Sequence, residues 1–435
     1  MTSGQSSIDS GHDAADGLVD YLNASPSPFH ACATSGGLLE AAGFRKVAET
    51  DAWPTESGRY YLVRGGTLVA WSTEHSADAT TPFRIVGAHT DSPNFRIKPN
   101  PDHGRLGFAQ LGVEPYGGLI VNSWLDRDLG LSGRVAVREN GSATTRLLQI
   151  DEPLLRISRL AIHLDRSAAE GESLNRQFQL APHWGLGEVP SFAHFLAERL
   201  AVEPQDVLGW DVMTHDVQPA ARTGLNGEFV AGARMDNLAT SYAGTRALIA
   251  AVDAAPSAPT TQVLVLFDHE EIGSMTERGA FSVLLPTVLE RIVTGLGGGR
   301  EEFHRALAGT VIASGDMAHA THPNYADRHE PDHQIALNGG PVLKVNTNGR
   351  YATDSVGAAS FKLACEQAGV PMQSFVMRSD LPCGSTVGPM TSALTGATTV
   401  DFGAPTLSMH SVRELVGAAD QGMYAAALAA FLSPA

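Results

Sequence analysis

The sequence predicts an α/β fold, a three-layer domain on a mostly parallel sheet that is interrupted by a β-rich insertion. Three observations carry this. Apolar runs of strand length alternate with amphipathic stretches of helical length towards both ends of the 435-residue chain. Those runs are apolar at consecutive positions, as expected of strands covered by helices on both faces. From residue 99 to 235 the pattern changes to short β-like pieces punctuated by Gly, Pro and Asn, with few long helices.

In chain order, the start "MTSGQSSIDSGHDAADG" has neither the basic nor the apolar region of a signal peptide, and residues 1–15 read as a disordered tail of a cytoplasmic protein. "FRIVGA" (83–88) is the first strand expected of the α/β sheet. The insertion follows, with "GLIVNSW", "GRVAVRE", "TRLLQI" and "LAIHL" as its β-like pieces. "TQVLVLF" (261–267), "GTVIAS" (309–314) and "TTVDF" (398–402) continue the sheet. Helices are expected at "LATSYAGTRALIAAV" (238–252), "SVGAASFKLACEQAG" (355–369) and the Ala-rich end "DQGMYAAALAAFL". The α/β domain thus comprises 1–98 and 236–435, with 99–235 inserted between its first and second strands.

Composition narrows the function. Hydrophobic residues at 43% and charged residues at 18% describe a soluble globular protein. A formal net charge of −17 argues against a nucleic-acid partner and against an anionic membrane surface. No apolar run approaches the ~20 residues of a membrane helix. Cys32, Cys365 and Cys383 are too few and too scattered for a disulfide framework or a Cys-based zinc site. "GLGGG" (295–299) follows a helical pattern and reads as a linker, and no G-x-S-x-G elbow occurs.

Chemistry gathers where strands end. "FRIVGA" runs into His89-Thr90-Asp91, and "TQVLVLF" into Asp268-His269-Glu270-Glu271. "GTVIAS" stops one Gly before Asp316, and a short loop after "TTVDF" leads to His410. Asp236 opens a helix. Open α/β sheets bind ligands beyond the carboxyl ends of their strands, so these groups can converge. Singly, each has a bland structural role open to it. A lone His at a strand end is usually hydrogen-bonded structure, a Glu-Glu pair is usually solvated, and Asp236 can cap its helix. Together they would crowd like charges into one crevice unless cations neutralised them. Imidazole plus carboxylate is the ligand set of Zn²⁺, Mn²⁺ or Co²⁺. With two ions, one carboxylate must bridge and an adjacent Glu is left free as a base. The inventory suggests a two-metal hydrolase.

A specific resemblance follows. "GAHTDSP" (87–93), "RMDN" (234–237), "DHEEIGS" (268–274), "SGDMAHATHPNY" (314–325), "LKVNTNGRYATD" (343–354), "LPCGSTVGP" (381–389) and "SMHS" (408–411) stand in the order seen in aspartyl aminopeptidases, which are di-zinc metallopeptidases. "SPSPFHA" (25–31) and "WLDRDLGLSGRV" (124–135) extend the match. The resemblance implies a catalytic α/β domain interrupted by a dimerisation domain. It also implies dimers assembled into a homododecamer, and removal of an acidic (Asp/Glu) N-terminal residue from peptide substrates. It assigns one metal to His89 and Asp316 and the other to Glu271 and His410, with Asp236 bridging. Asp91 would orient His89, and Glu270 would be the general base. The two ions would be Zn²⁺, with Mn or Co an option at one site.

His163 in "LAIHL" has three readings: a packed structural histidine on a strand, a residue reaching substrate in a neighbouring subunit, or a third-histidine metal ligand. The run "HATHPNYADRHEPDH" reads as loop around Asp316, with a separate ion site at His319, His322, His329 and His333 as the lesser alternative. Lys344 and Arg350 are either solvated surface charges or, as the resemblance implies, substrate-binding. Gly349 departs from the Gln usual in such proteins, which bears on substrate preference. Two other functions fit the ligand logic, a related two-metal deacylase or carboxypeptidase and a non-catalytic assembly protein. "DHEEIGS" and "NGRYATD" speak against the first and an intact Glu270 against the second.

Overall fold

A computed structural model describes residues 11–166 and 173–435. Residues 1–10 of the expected tail lie outside this range. Residues 11–15 do not continue a tail, because a helix spans Gly11–Ala24 and buries Ala14 and Ala15.

The largest sheet has nine strands in the spatial order Arg45–Lys46, Arg59–Arg64, Thr67–Ser72, Thr261–Phe267, Phe83–His89, Val311–Gly315, Thr398–Gly403, Val342–Val345 and Gln373–Val376. Five neighbouring pairs are parallel and three antiparallel. Side chains alternate between its faces as the period-2 pleat requires. Leu264 and Leu266 enter one core with the helices Gly11–Ala24, Met235–Val252 and Ala418–Leu432. Val263, Val265 and Phe267 enter a second core with Leu284–Gly295 and Arg300–Ala308. Burial on both faces is why "VLVLF" is apolar throughout. The glycines 295–299 link these last two helices.

The insertion leaves this sheet after Phe83–His89, the fourth strand of the chain, rather than after the first. The three earlier strands escaped sequence reading because one has two residues and the others carry Arg or Ser at their ends. The inserted sheet is antiparallel, in the order Ser142–Leu155, Leu129–Glu139, Val207–Asp216, Asn94–Arg105, Phe108–Tyr116 and His183–Leu186. It packs on its own core, which includes Phe95, Leu131, Val135 and Phe192. "GRVAVRE" and "TRLLQI" lie in its strands, but two other pieces do not. "GLIVNSW" becomes a 3₁₀ turn at Val121–Trp124 after Gly117 and Gly118 end a strand. "LAIHL" is a turn closed by Leu164 N–H to Ala161 C=O, and its Leu160, Ile162 and Leu164 are exposed, so no burying neighbour enforces strand pairing.

A third sheet joins Ala221–Thr223 and Phe229–Gly232 to Glu414–Gly417, Pro405–Leu407 and Ala318–His319. Residues 221–232, which the sequence grouped with the insertion, therefore pair with strands from the second half of the chain.

Candidate metal centre

Register brings the ligand candidates together. In the parallel pairs, Phe267 lies beside His89 and Ser314 beside Gly87. Asp316, two residues past Ser314, therefore ends level with His89, and the Asp268–Glu271 run begins just beyond. Asp236 comes from the start of Met235–Val252, where it and Asn237 have non-helical backbone and are joined by a cis peptide. Ser92 Oγ donates to the Asp236 carbonyl at 2.7 Å and ties that helix start to the segment that follows Phe83–His89.

The two oxygens of Asp236 divide between two imidazoles. Oδ1 lies 3.3 Å from His89 Nε2, and Oδ2 lies 3.3 Å from His410 Nε2. Asp316 Oδ1 stands 3.6 Å and Glu270 Oε2 3.9 Å from His89 Nε2. Glu271 Oε1 stands 3.3 Å from His410 Nε2. Among the described residues, His89-Asp236-Glu271 and His89-Glu270-Asp316 are the groups compact enough to hold an ion. Both imidazoles turn Nδ1 outward to a carbonyl, His89 to Asp91 C=O at 3.0 Å and His410 to Gly118 C=O at 3.1 Å. Each Nδ1–H thereby fixes the tautomer that aims the Nε2 lone pair inward.

The donor set fits a metal. Asp236 Oδ1 and Glu271 Oε1 are buried and find no hydrogen-bond donor of acceptable geometry, an arrangement costly without a cation. Charges tell the same story. Burial pushes Glu270 well above the usual carboxyl range, with Asp316 and Glu271 adding to it against the pull of His89. Burial pushes Glu271 up to about 7, held back by His410. Burial also works against Asp236, yet His410 and His89 keep it well below its ordinary value. His410 is raised to about 12 by Asp236 and Glu271 despite its burial. A cation bound here would displace the protons that burial favours on Glu270 and Glu271.

Comparison with known proteins agrees. Residues 21–432 match the family described as Aminopeptidase I zinc metalloprotease (M18). A Streptomyces coelicolor protein named probable M18 family aminopeptidase 2 is 52% identical over 99% of this chain and 100% of its own length. A Mycobacterium tuberculosis protein of the same name is 53% identical over 96% of this chain and 98% of its own. This chain belongs to the M18 family. Among solved structures, the cryo-EM structure of the Ape4 and Nbr1 complex matches with a TM-score of 0.93 at 36% identity, covering 100% of this chain and 88% of that one. The S. cerevisiae mApe1 dodecamer matches at 0.84 and 27%, covering 97% and 96%.

As an M18 member the chain is a zinc aminopeptidase, which sets aside the deacylase, carboxypeptidase and non-catalytic readings. No helix among the described residues is long and apolar enough to cross a membrane. The fold gathers His89, Asp236, Glu270, Glu271, Asp316 and His410 into one cluster from across the sequence. Asp91 stands behind them, its carboxylate accepting the backbone N–H groups of Glu270 and Glu271 at 3.1 Å each. His163 stands apart from both ligand groups, exposed and not packed on a strand. His319, His322, His329 and His333 form no ion-holding group among the described residues.

Lys344 is buried rather than a solvated surface charge. Its Nζ donates to Met317 C=O at 2.9 Å and stands 3.6 Å from Asp316 Oδ2. Arg350 is exposed and its Nε donates to Cys383 C=O. Sequence reasoning missed Glu414 and Tyr116. Glu414, fully enclosed, accepts from the backbone N–H of both Asp236 (3.2 Å) and His410 (3.0 Å), and burial pushes its carboxyl up to about 8. Its place four residues after His410 was the available signal. Tyr116 Oη donates to Asp91 Oδ2 at 2.7 Å, and nothing in "VEPYGG" marks that contact.

Proposed function

We propose a two-metal aminopeptidase in which His89 and Asp316 hold one ion and Glu271 and His410 the other. Asp236 bridges them, and Glu270 is the general base. The observation that carries this reading is the division of the Asp236 oxygens between two imidazoles at equal distance. Two Zn²⁺ ions, with Mn²⁺ or Co²⁺ an option at one site, would supply a Lewis acid for the scissile carbonyl and a strong nucleophile at neutral pH.

The two glutamates divide their roles by depth. Glu271, its side chain 4% exposed and Oε1 without a donor, suits a ligand. Glu270, 17% exposed, is open to substrate and solvent. Geometry alone lets Glu270 reach the first ion, since it stands with His89 and Asp316. Its openness, and a carboxyl raised by burial well above its ordinary range, favour a proton carrier that passes the proton on to the leaving amine. Asp91 supports it by holding the Glu270 backbone and the His89 ring.

An acidic N-terminal side chain is the preferred substrate group in this reading, with Lys344 its first cationic partner and Arg350 its second. Support comes from the Lys344 ammonium lying buried beside Asp316. Residues 99–235 would mediate dimers that assemble into a dodecamer, the assembly named for the S. cerevisiae relative. The exposed His163 would serve a neighbouring copy's substrate. Three unpaired cysteines suit a cytoplasmic setting.

Metal analysis beside a rate assay tests the core of the proposal. Glu270→Gln should abolish turnover and keep both ions, whereas Asp236→Ala should lose metal and activity together. Retention of more than a few per cent activity in Glu270→Gln would remove Glu270 from the base role.

A further inference from the structure

One short segment of the inserted domain makes direct contacts with the metal centre. Phe108–Tyr116 is a strand of the inserted sheet, and the chain then turns through Gly117 and Gly118. Three consecutive residues contact three parts of the centre. The Tyr116 hydroxyl donates to Asp91 Oδ2, the carboxylate that also receives the Glu270 and Glu271 N–H groups. Gly117, at φ +71°, lies against Glu271, where a Cβ would come within 3.1 Å of Glu271 Cβ and 3.4 Å of Oε2. Gly118 C=O accepts from His410 Nδ1 at 3.1 Å.

Further contacts anchor the same segment. Ile120 N–H donates to His410 C=O at 3.0 Å, and Val412 N–H donates to Ser123 Oγ at 2.9 Å. The Arg96 guanidinium lies 4.1 Å from the Tyr116 ring centroid, stacking the ring from the adjacent inserted strand. Without this segment Asp91 would lose the Tyr116 hydroxyl, His410 the Gly118 carbonyl and Glu271 the Gly117 backbone beside it.

We propose that Tyr116-Gly117-Gly118 is a positioning strap by which the inserted domain completes the metal centre of its own subunit. Tyr116 acts through Asp91 on the backbone that carries the base. Gly117 leaves room for Glu271 at its ligand position. Gly118 selects the His410 tautomer whose Nε2 faces Asp236 and Glu271. The left-handed φ at Gly117 is open to glycine at little cost, and any Cβ there also presses on Glu271. The insertion is then part of each active site as well as an assembly element.

This inference rests on the two-ion reading, and the test separates the two. Metal-stripped protein is titrated with Co²⁺ while its visible absorption is followed, and kcat and KM are measured on reloaded protein. Wild type should take up two equivalents. Gly117→Ala should keep the first at wild-type affinity and bind the second about ten-fold more weakly or worse. Tyr116→Phe keeps the ring under Arg96, so it should bind both ions yet lose about ten-fold or more in kcat, with KM within two-fold. Gly117→Ala titrating like wild type would overturn the strap. So would Tyr116→Phe with an unchanged kcat, or with its loss confined to KM. If Gly117→Ala does not fold, as read by circular dichroism, Tyr116→Phe alone decides. One equivalent in wild type would instead sink the two-ion reading, and Tyr116→Phe would still judge the strap.

Discussion

At the scale of single residues, the centre crowds carboxylates and imidazoles whose charges a cation would balance. Burial holds Glu271 at about 7 and its carboxylate neighbours hold His410 at about 12 in the metal-free protein. Both must give up protons to become ligands, so metal uptake should release protons and weaken as pH falls through 7. Calorimetric titration of the stripped protein with Zn²⁺ in buffers of different ionisation enthalpy checks this, and buffer-independent heats would contradict it. Lys344 carries the second prediction. Replacing it with Met removes a buried ammonium, so an acidic substrate side chain would lose its partner at a cost of about 2–4 kcal/mol. Because Lys344 also stands 3.6 Å from Asp316, activity on every substrate should fall somewhat. The ratio of kcat/KM for Asp and Leu peptides isolates the specificity effect. An unmoved ratio, or a wild type that already favours Leu, removes the acidic preference and leaves the aminopeptidase standing.

At the scale of elements, parallel register is what aligns the ligands. Phe83–His89, Thr261–Phe267 and Val311–Gly315 run side by side, and their ends supply His89, the Glu270-Glu271 pair and Asp316. That alignment depends on the two cores that clamp the sheet. Leu264 is fully buried in the core beneath Met235–Val252. Leu264→Ala should therefore destabilise the fold by about 2–5 kcal/mol, seen as a lower melting temperature of the metal-free protein. Metal stoichiometry at ambient temperature should stay at the wild-type value, since the strand ends keep their register. Loss of metal without loss of melting temperature would contradict this division between scaffold and site.

At the scale of the whole molecule, the insertion leaves apolar side chains in water. Leu106, Leu164, Phe178 and Leu186 are each more than 70% exposed and all lie in 99–235. Such surface is expected at an interface between chains. Light scattering at micromolar concentration should report an oligomer, with a dodecamer the expected mass. A monomer would refute assembly through the insertion. His163 sits in this exposed region with Ile162 and Leu164. His163→Phe should keep both metals and the assembly while losing activity, because the residue stands outside both ligand groups of its own subunit.

The sequence by itself determined the buried strands, the acids and imidazoles at their ends, and the family to which the chain belongs. Consecutive apolar residues report a strand covered on both faces. Charges placed directly after such a strand stand at the rim of the sheet, where ligands bind in open α/β folds. Local pattern also marked a β-rich stretch by its change of periodicity, although the inserted sheet begins at Asn94 and residues 229–232 pair with 414–417 instead. Only the tertiary structure decided how those ends meet. The sharing of Asp236 between His89 and His410 depends on a helix start meeting a loop 174 residues later, as the two residue numbers show. "GLIVNSW" and "LAIHL" look like strands because β-propensity is a local property, whereas pairing needs a neighbour that the fold did not supply. Tyr116 carries no motif, and Glu414 only its spacing from His410, because their bonds to Asp91 and to the Asp236 backbone join groups far apart in the chain. Those bonds exist once two sheets and a helix have closed around the same few ångströms.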